Sequence, residues 1–370
     1  MGRSLTVVAA LLVALAAAAP SAGAAERRVP VGFHGVDFDR EAAWAPAKVQ
    51  TAMWGEMTRT GVESARVIFD WSEAQPQAVL APSFHETDPL VANAAAQGIE
   101  PLPVVIYAPP WAREVPSSKA SAPSDLTAYG AYLRALVKRY GPGGTFWAEH
   151  PELRAQPIRA WQVWNEPDME YQWTPQRDWH QKYGALVRAA DAVLSEADPG
   201  ARLVLAGLTN FSWRELRTLY ERGEVRGHFD VAALNAYTRD PKNLVEIVRR
   251  ARKVMDVRGD RKKAIRVTEF GASASLDRLK VGRDQDHLQT TDRKLAKLVL
   301  GAYDALAANR RRLRIERAYW YTWASHYEVR DGAGIFDFTG LVAYRENASG
   351  WSARQALGAY RKSARRLQGR

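Results

Sequence analysis

Short β-rich runs alternate with amphipathic helical stretches eight times along this chain of 370 residues, and that alternation restricts the folds open to it. The strand candidates span 31–38, 64–71, 101–108, 158–165, 201–208, 228–237, 264–270 and 316–323, each apolar and bounded by Gly, Pro, Asp or Asn. Between them apolar residues recur at three- and four-residue spacing. Two such stretches are 125–141, ending at Gly141, and 177–200, stopped by Pro199-Gly200. The other helices fall near 45–60, 88–98, 212–222, 243–256, 284–308 and 352–366. Strands joined by helical crossovers run parallel, and eight such units close into a (β/α)8 TIM barrel of class α/β. The rival, an open doubly wound sheet, needs a phosphate-binding turn. GAGIFD at 332–337 lacks the third glycine for one, and GPGG at 141–144 lacks the P-loop lysine.

Residues 1–24 stand apart as a secretory signal peptide: Arg3 is the positive start, Leu5 to Ala19 the apolar run, and Ala22-Gly23-Ala24 the small-residue cleavage site. The run is shorter than the roughly 20 apolar residues that span a bilayer. The expectation is therefore a secreted protein with no membrane span in the mature chain. Residues 25–370 contain no Pro/Ser-rich linker and read as one catalytic domain. Cysteine is absent, so stability must come from a large core rather than from disulfides.

The formal charge is +11, with dense clusters at 249–253, 261–263, 310–312 and 361–370. A solvated outer face accounts for them. No aromatic interleaving or nucleic-acid motif accompanies them, so nucleic acid is not an expected partner, whereas anionic cell-envelope polymers are a secondary one.

In a barrel of this kind, side chains at the carboxyl ends of the strands converge on one mouth. The fourth strand ends in Asn165-Glu166 within WNEP, and the seventh in Glu269 within VTEFG. Arg66 and Trp71 come from the second strand, Trp111 follows the third, Asn235 and Tyr237 lie on the sixth, and the eighth carries Tyr321 and Trp323. Loops 109–124 and 324–351 follow strands and belong on this face, while 142–157 precedes a strand and belongs on the other.

Two carboxylates, a cation, amides and aromatic faces suit cleavage of a glycosidic bond: one acid protonates the departing oxygen while a carboxylate faces the anomeric carbon. In the retaining geometry the pair stands roughly 5 Å apart, where two charges repel by about 3 kcal/mol at an effective dielectric near 20. That equals about two pKa units, so one of the pair holds a proton near neutrality. If Arg66 lies against Glu269, the proton goes to Glu166. A turn through Pro167 would hold Glu166 at the rim, and the Asn165 amide offers a donor and an acceptor to a sugar hydroxyl. The plain alternative for WNEP is a helix N-terminus with Glu and Pro in its first turn.

WNEP and TEFG resemble the acid/base and nucleophile signatures of the clan A retaining glycoside hydrolases. RVIFDWSEAQP, APPWA, YGPGGTFW and AYWYTWAS resemble family 39 and neighbouring cellulase-like barrels. The resemblance covers nearly the whole mature chain. It implies that Glu166 is the general acid/base and Glu269 the nucleophile. It further implies that Asn165 holds the sugar 2-hydroxyl, that Arg66 and Tyr237 flank the nucleophile, and that Trp323 forms the floor beneath the reacting sugar. Two positions depart from the pattern. Asn235 stands where many relatives have His, and Ala272 where a Trp is frequent; both bear on specificity.

Tryptophan is abundant, at thirteen residues, and its flat faces serve sugar clefts and cores alike. Trp71, Trp111 and Trp323 are expected in the cleft, and Trp54, Trp147 and Trp179 in structural positions. Arg66 has Asp70 as an alternative partner, Tyr237 a core role, and His34 either a sugar contact or a packing role. The histidines show no metal spacing, and His326, Glu328 and Asp331 read as a polar loop. Neither metal nor cofactor is implied. The expected activity is retaining hydrolysis of a poly- or oligosaccharide; a carbohydrate-binding barrel without catalysis is the alternative. The sequon Asn347-Ala348-Ser349 reads as a polar turn.

Overall fold

A computed structural model describes residues 26–370 apart from 284 and 346–349. The expected signal peptide 1–24 and the sequon Asn347-Ala348-Ser349 lie outside the described residues. The barrel strands are β1 His34–Asp37, β2 Ser64–Asp70, β3 Glu100–Ile106, β4 Ala160–Val163, β5 Arg202–Leu208, β6 Val231–Asn235, β7 Ala264–Phe270 and β8 Ile315–Trp320. Every neighbouring pair is parallel and β8 returns to β1, which closes the (β/α)8 barrel.

One principal helix follows each strand: α1 Ala47–Thr60, α2 Thr87–Gln97, α3 Leu126–Tyr140, α4 Trp179–Ala197, α5 Ser212–Arg222, α6 Pro241–Val257, α7 Asp292–Leu313 and α8 Gln355–Gln368. Their ends follow local chemistry. Asp125 caps α3 by accepting from the Ala128 N–H at 2.9 Å, and Pro241 opens α6 where a missing N–H costs nothing. Gly61 ends α1 at φ +96°, where a side chain would be strained and its Cβ would stand 2.7 Å from that of Ala364.

Strand alternation sorts the side chains into two layers. Ala160, Val204, Val231, Ala233 and Tyr319 pack together inside the barrel, whereas residues of opposite parity join the main core beneath the helices. Near the mouth the alternation is interrupted twice. Val204 pairs with Val231 and Gly207 with Ala233, so β5 carries an extra residue; Leu234 pairs with Val267 and Asn235 with Glu269, so β7 does too. Such bulges re-aim side chains at barrel rims.

The loop after β8 contains elements too short for a periodic signal. Strands β9 Ala324–Ser325, β10 Val342–Tyr344 and β11 Trp351–Ala353 form a small sheet in the order β11-β10-β9. Among the described residues no helix is long and apolar enough to cross a membrane.

Candidate active site

Four strands deliver the central groups. β4 ends at Val163, after which Trp164 and Glu166 adopt left-handed backbone at φ +68° and +43°. The next helix, α4, begins only at Trp179, so WNEP is a strand-end turn and not a helix N-terminus. Non-glycine residues in this region cost of order 1–3 kcal/mol and persist where the surroundings fix them. Here the Trp164 N–H donates to the Val105 carbonyl (3.1 Å) and the Glu166 N–H to the Gly207 carbonyl (3.0 Å). The turn is tied to β3 on one side and β5 on the other, and Glu166 is thereby held over the mouth.

Glu269 reaches the mouth by a different route. Counting by twos from Arg266, an interior residue, would turn residue 269 outward; the extra residue in β7 turns it in. Arg66 then joins the site: its Nη1 donates to Glu269 Oε1 (2.8 Å) and Asp37 Oδ1 (2.6 Å), its Nη2 to Asn165 Oδ1 (2.8 Å), and its Nε to Gln162 Oε1 (2.9 Å). The Asn235 amide bridges onward, donating to Asn165 Oδ1 (3.2 Å) and Glu166 Oε1 (2.8 Å) while accepting from Thr268 (2.9 Å). One continuous hydrogen-bonded path therefore runs from Glu269 through Arg66, Asn165 and Asn235 to Glu166.

The outer oxygens are also engaged. The Tyr237 hydroxyl donates to Glu269 Oε2 at 2.6 Å, and that of Tyr171 to Glu166 Oε2. Glu166 and Glu269 are 7% and 6% exposed, so each keeps a narrow accessible edge.

Burial is the main influence on both carboxyls and raises both. Glu269 is pushed up to about 7, with Arg66 and the Tyr237 hydrogen bond opposing and the charge of Glu166 assisting. On Glu166 the opposition comes first from the neutral donors Asn235 and Tyr171. The guanidinium thus touches Glu269 and not Glu166. Burial also raises Asp168 to about 6; it accepts from the Thr209 N–H (3.2 Å) and hydroxyl (2.5 Å) and pins the β4 turn to the end of β5.

Of the residues expected at the site, Arg66, Asn165, Glu166, Asn235, Tyr237 and Glu269 come together. Arg66 does not pair with Asp70, which instead accepts from the Ser72 N–H (2.8 Å) and meets Lys119 (2.8 Å). Asn235, expected to touch sugar, spends its amide on Glu166 and Asn165. Trp111 keeps exposed surface on the carboxyl-end face, its indole N–H bonded to the Gln75 carbonyl at 3.0 Å.

Three expectations are corrected. Trp71 has no exposed surface: it points to the helix layer and packs on Tyr132 and Tyr129 of α3, with ring centroids at 5.9 and 5.7 Å. Trp323 is likewise fully buried in the main core, so it offers no face to a sugar. His34 begins β1 instead of ending it and points outward, stacked on Tyr303 at 4.6 Å and 3.3 Å from the Ser363 hydroxyl. Its burial lowers its pKa to about 3.

Several members of the site escaped the sequence reading. Asp37 ends β1 in GVDF and shares Arg66; Gln162 sits two residues before the WNEP turn on the inward face; Thr268 positions Asn235. Tyr321 is not among these: expected at the mouth end of the eighth strand beside Trp323, it directly follows β8 and keeps part of its ring accessible, edge-on to Tyr237 at 5.9 Å and Phe336 at 5.5 Å. Parity along β1 and β4 was signal enough for Asp37 and Gln162; Tyr171, in an irregular loop, gave none.

For cations, Glu41, His326 and Asp337 are buried with ligand atoms within 4.8 Å of one another. Glu41 pairs with His326 at 3.2 Å, and Asp337 accepts from the Gly334 N–H at 2.7 Å. Internal contacts thus already engage this cluster.

No family model matches the chain, and neither does any curated protein. Solved structures do. A family 39 glycoside hydrolase from the gut symbiont Bacteroides cellulosilyticus WH2 superposes with a TM-score of 0.67 at 18% identity, over 92% of this chain and 64% of the other. A monomeric β-xylosidase from Caulobacter crescentus CB15 gives 0.65 at 14% identity, over 91% and 69%. The family 53 catalytic domain of Ignisphaera aggregans gives 0.62 at 19% identity, over 90% and 97%. The chain has the fold of the clan A glycoside hydrolase barrels, and it spans just under two thirds of the length of the family 39 structure.

Proposed function

We propose that the chain is an exported retaining glycoside hydrolase acting on a poly- or oligosaccharide. The observation that carries this reading is the path linking Glu269, Arg66, Asn165, Asn235 and Glu166 across the barrel mouth. Glu269 attacks the anomeric carbon while Glu166 gives its proton to the departing oxygen, and the glycosidic bond breaks. Glu166 then takes a proton from water, water attacks the same carbon, and Glu269 leaves. Arg66 favours the anion on Glu269, and burial, opposed chiefly by the neutral donors Asn235 and Tyr171, favours the proton on Glu166. The aromatic flank of the sugar falls to Tyr321 and Trp111, the rings with accessible surface. Glycoside hydrolases among the superposable folds support the class of substrate, and the make-up of residues 1–24 supports export.

Release of aryl alcohol from a panel of activated aryl glycosides tests the reading. Glu166→Gln and Glu269→Gln should each lower kcat by about 10³-fold or more, the middle of the roughly 10²–10⁴-fold range of general acid–base assistance or above it. A slow 2-fluoro glycoside should leave a sugar attached to the peptide that contains Glu269. Undiminished turnover in both Gln variants, or an inverted first-formed product by NMR, would sink it.

A further inference from the structure

The outer wall carries a feature that the chemistry at the mouth does not use. Helices α5 and α6 leave between them a groove of about 380 Å³. Trp213 and Arg217 line it from α5, Arg249, Arg250 and Lys253 from α6, and Arg258 closes its foot. Glu246 is the single carboxylate in this lining, and both Arg249 (2.6 Å) and Arg250 (2.7 Å) donate to it. One carboxylate cannot neutralise two guanidiniums, but by taking the Nε–Nη2 edge of Arg249 and the Nε of Arg250 it fixes the other N–H groups of both, while Arg258 is paired with Glu221. Pre-set forks lose less freedom when they take a planar anion.

The groove starts close to the mouth. Asn210, just past the end of β5, brackets Tyr237 by donating to its carbonyl (2.8 Å) and accepting from its N–H (2.7 Å). Tyr237 in turn donates to Glu269. Next comes Phe211, 54% exposed, edge-on to Trp213 at 5.6 Å. Arg214 lies over Phe211 and Arg250 over Trp213, both at 4.8 Å. An aromatic step therefore leads from the rim into a cationic track.

The mouth has the opposite charge: Asp37 and Glu269 share Arg66, and Glu166 and Asp168 lie beside one another on the turn after β4. A polyanion gains Coulomb energy along the wall, which would hold the charged stretch of a polymer while the mouth takes the unit to be cleaved. A single-stranded nucleic acid would call for stacking platforms along its track, and here the rings sit at one end only; a duplex needs only phosphate contacts and is separated by the test. Guanidiniums for carboxylates and the exposed Phe211 ring, backed by Trp213, for sugar C–H groups fit an acidic glycan.

We infer that the α5–α6 groove is a second carbohydrate site, which binds a carboxylate-bearing polysaccharide and leads it over Phe211 and Trp213 toward the mouth. The inference rests on the glycosidase reading in taking the bound polymer as substrate.

Affinity electrophoresis of the full chain in gels containing polygalacturonate, neutral galactan or double-stranded DNA tests it, at one ionic strength. Arg217→Glu combined with Lys253→Glu reverses charge on both walls, and Trp213→Ala removes the step; a thermal melt of each variant verifies folding. The double variant should bind polygalacturonate about tenfold more weakly and Trp213→Ala several-fold more weakly. Neither should change turnover of a small aryl glycoside. Unchanged retention of the folded double variant overturns the inference, as does DNA binding as tight as that of polygalacturonate. Groove-dependent retention in a chain that turns over no aryl glycoside would leave the site standing and remove the glycosidase reading instead.

Discussion

Arg66 sets the electrostatics of the mouth because it is one cation shared by two buried carboxylates, Asp37 and Glu269. Half of a guanidinium's attraction is a weak hold, and burial still leaves Glu269 near 7. The Tyr237 hydroxyl is therefore an important second support. Tyr237→Phe removes a hydrogen bond to a charged acceptor, an interaction worth about 1.5–3 kcal/mol. The bond favours the anion, so its loss raises the Glu269 pKa, by roughly one to two units. Attack needs the anion, so the acidic limb of the kcat/KM profile should move to higher pH by that amount. A profile whose acidic limb stays in place would remove Tyr237 from the support of Glu269. The glutamates and Arg66 were legible from strand position, as were Asn165, Asn235 and Tyr237. His34 and Asp37 were not separated, although they lie three apart on one strand and must face opposite sides. Trp71 shares the parity of Val67 and Phe69, which face the helices, and Trp323 lies beyond the last strand residue, where alternation no longer applies.

The strands matter as much through their irregularities as through their regular pairing. The sequence alternation located all eight strands and eight helices, because long periodic segments carry the strongest signal. Neither bulge was visible in it, since an extra residue shifts register without altering composition. Nor was the small β9–β10–β11 sheet, whose strands are two or three residues long. The bulge in β5 brings Gly207 so close to Asn235 that a Cβ there would stand 2.2 Å from the amide oxygen. Glycine is required at this contact because the neighbouring strand's side chain fills the space. Gly207→Ala should push the amide off Glu166 Oε1. With the loss of one hydrogen bond to a reacting group, kcat/KM should fall about tenfold or more. The Glu166 anion also loses a donor, which raises its pKa and moves the alkaline limb to higher pH. Steady-state kinetics across pH tests this, and an unchanged alkaline limb would show that Asn235 does not tune Glu166.

Across the whole molecule, charge is arranged differently by surface: buried carboxylates gather around one arginine at the mouth, while on the helical wall arginines pair with carboxylates such as Glu56, Glu196, Glu221 and Glu246. The excess of 52 basic over 41 acidic residues said nothing about this arrangement, which appears only once the strands converge. Gathering carboxylates in a buried site has a thermodynamic cost, and pH reveals it. Glu269 has its folded pKa near 7 against an ordinary value of 4.5, so between those limits the folded state binds more protons than the unfolded one. The stability this proton provides is fully present below about pH 4.5 and is lost as pH rises through about 7. Glu269→Gln puts a permanently neutral group at the same position. The variant should match the wild type near pH 4.5 and exceed it above pH 7 by on the order of 1–3 kcal/mol. Distant titrating groups act alike in both proteins, so the difference between their urea unfolding free energies reports Glu269 together with Asp37 and Glu166, the carboxyls that its charge influences. A difference that stays flat from pH 4.5 to 8 would show that Glu269 titrates as an ordinary carboxyl, fully compensated by Arg66. A difference that opens with rising pH would mean that the fold gives up stability to keep a charge-bearing nucleophile in a dry, crowded site.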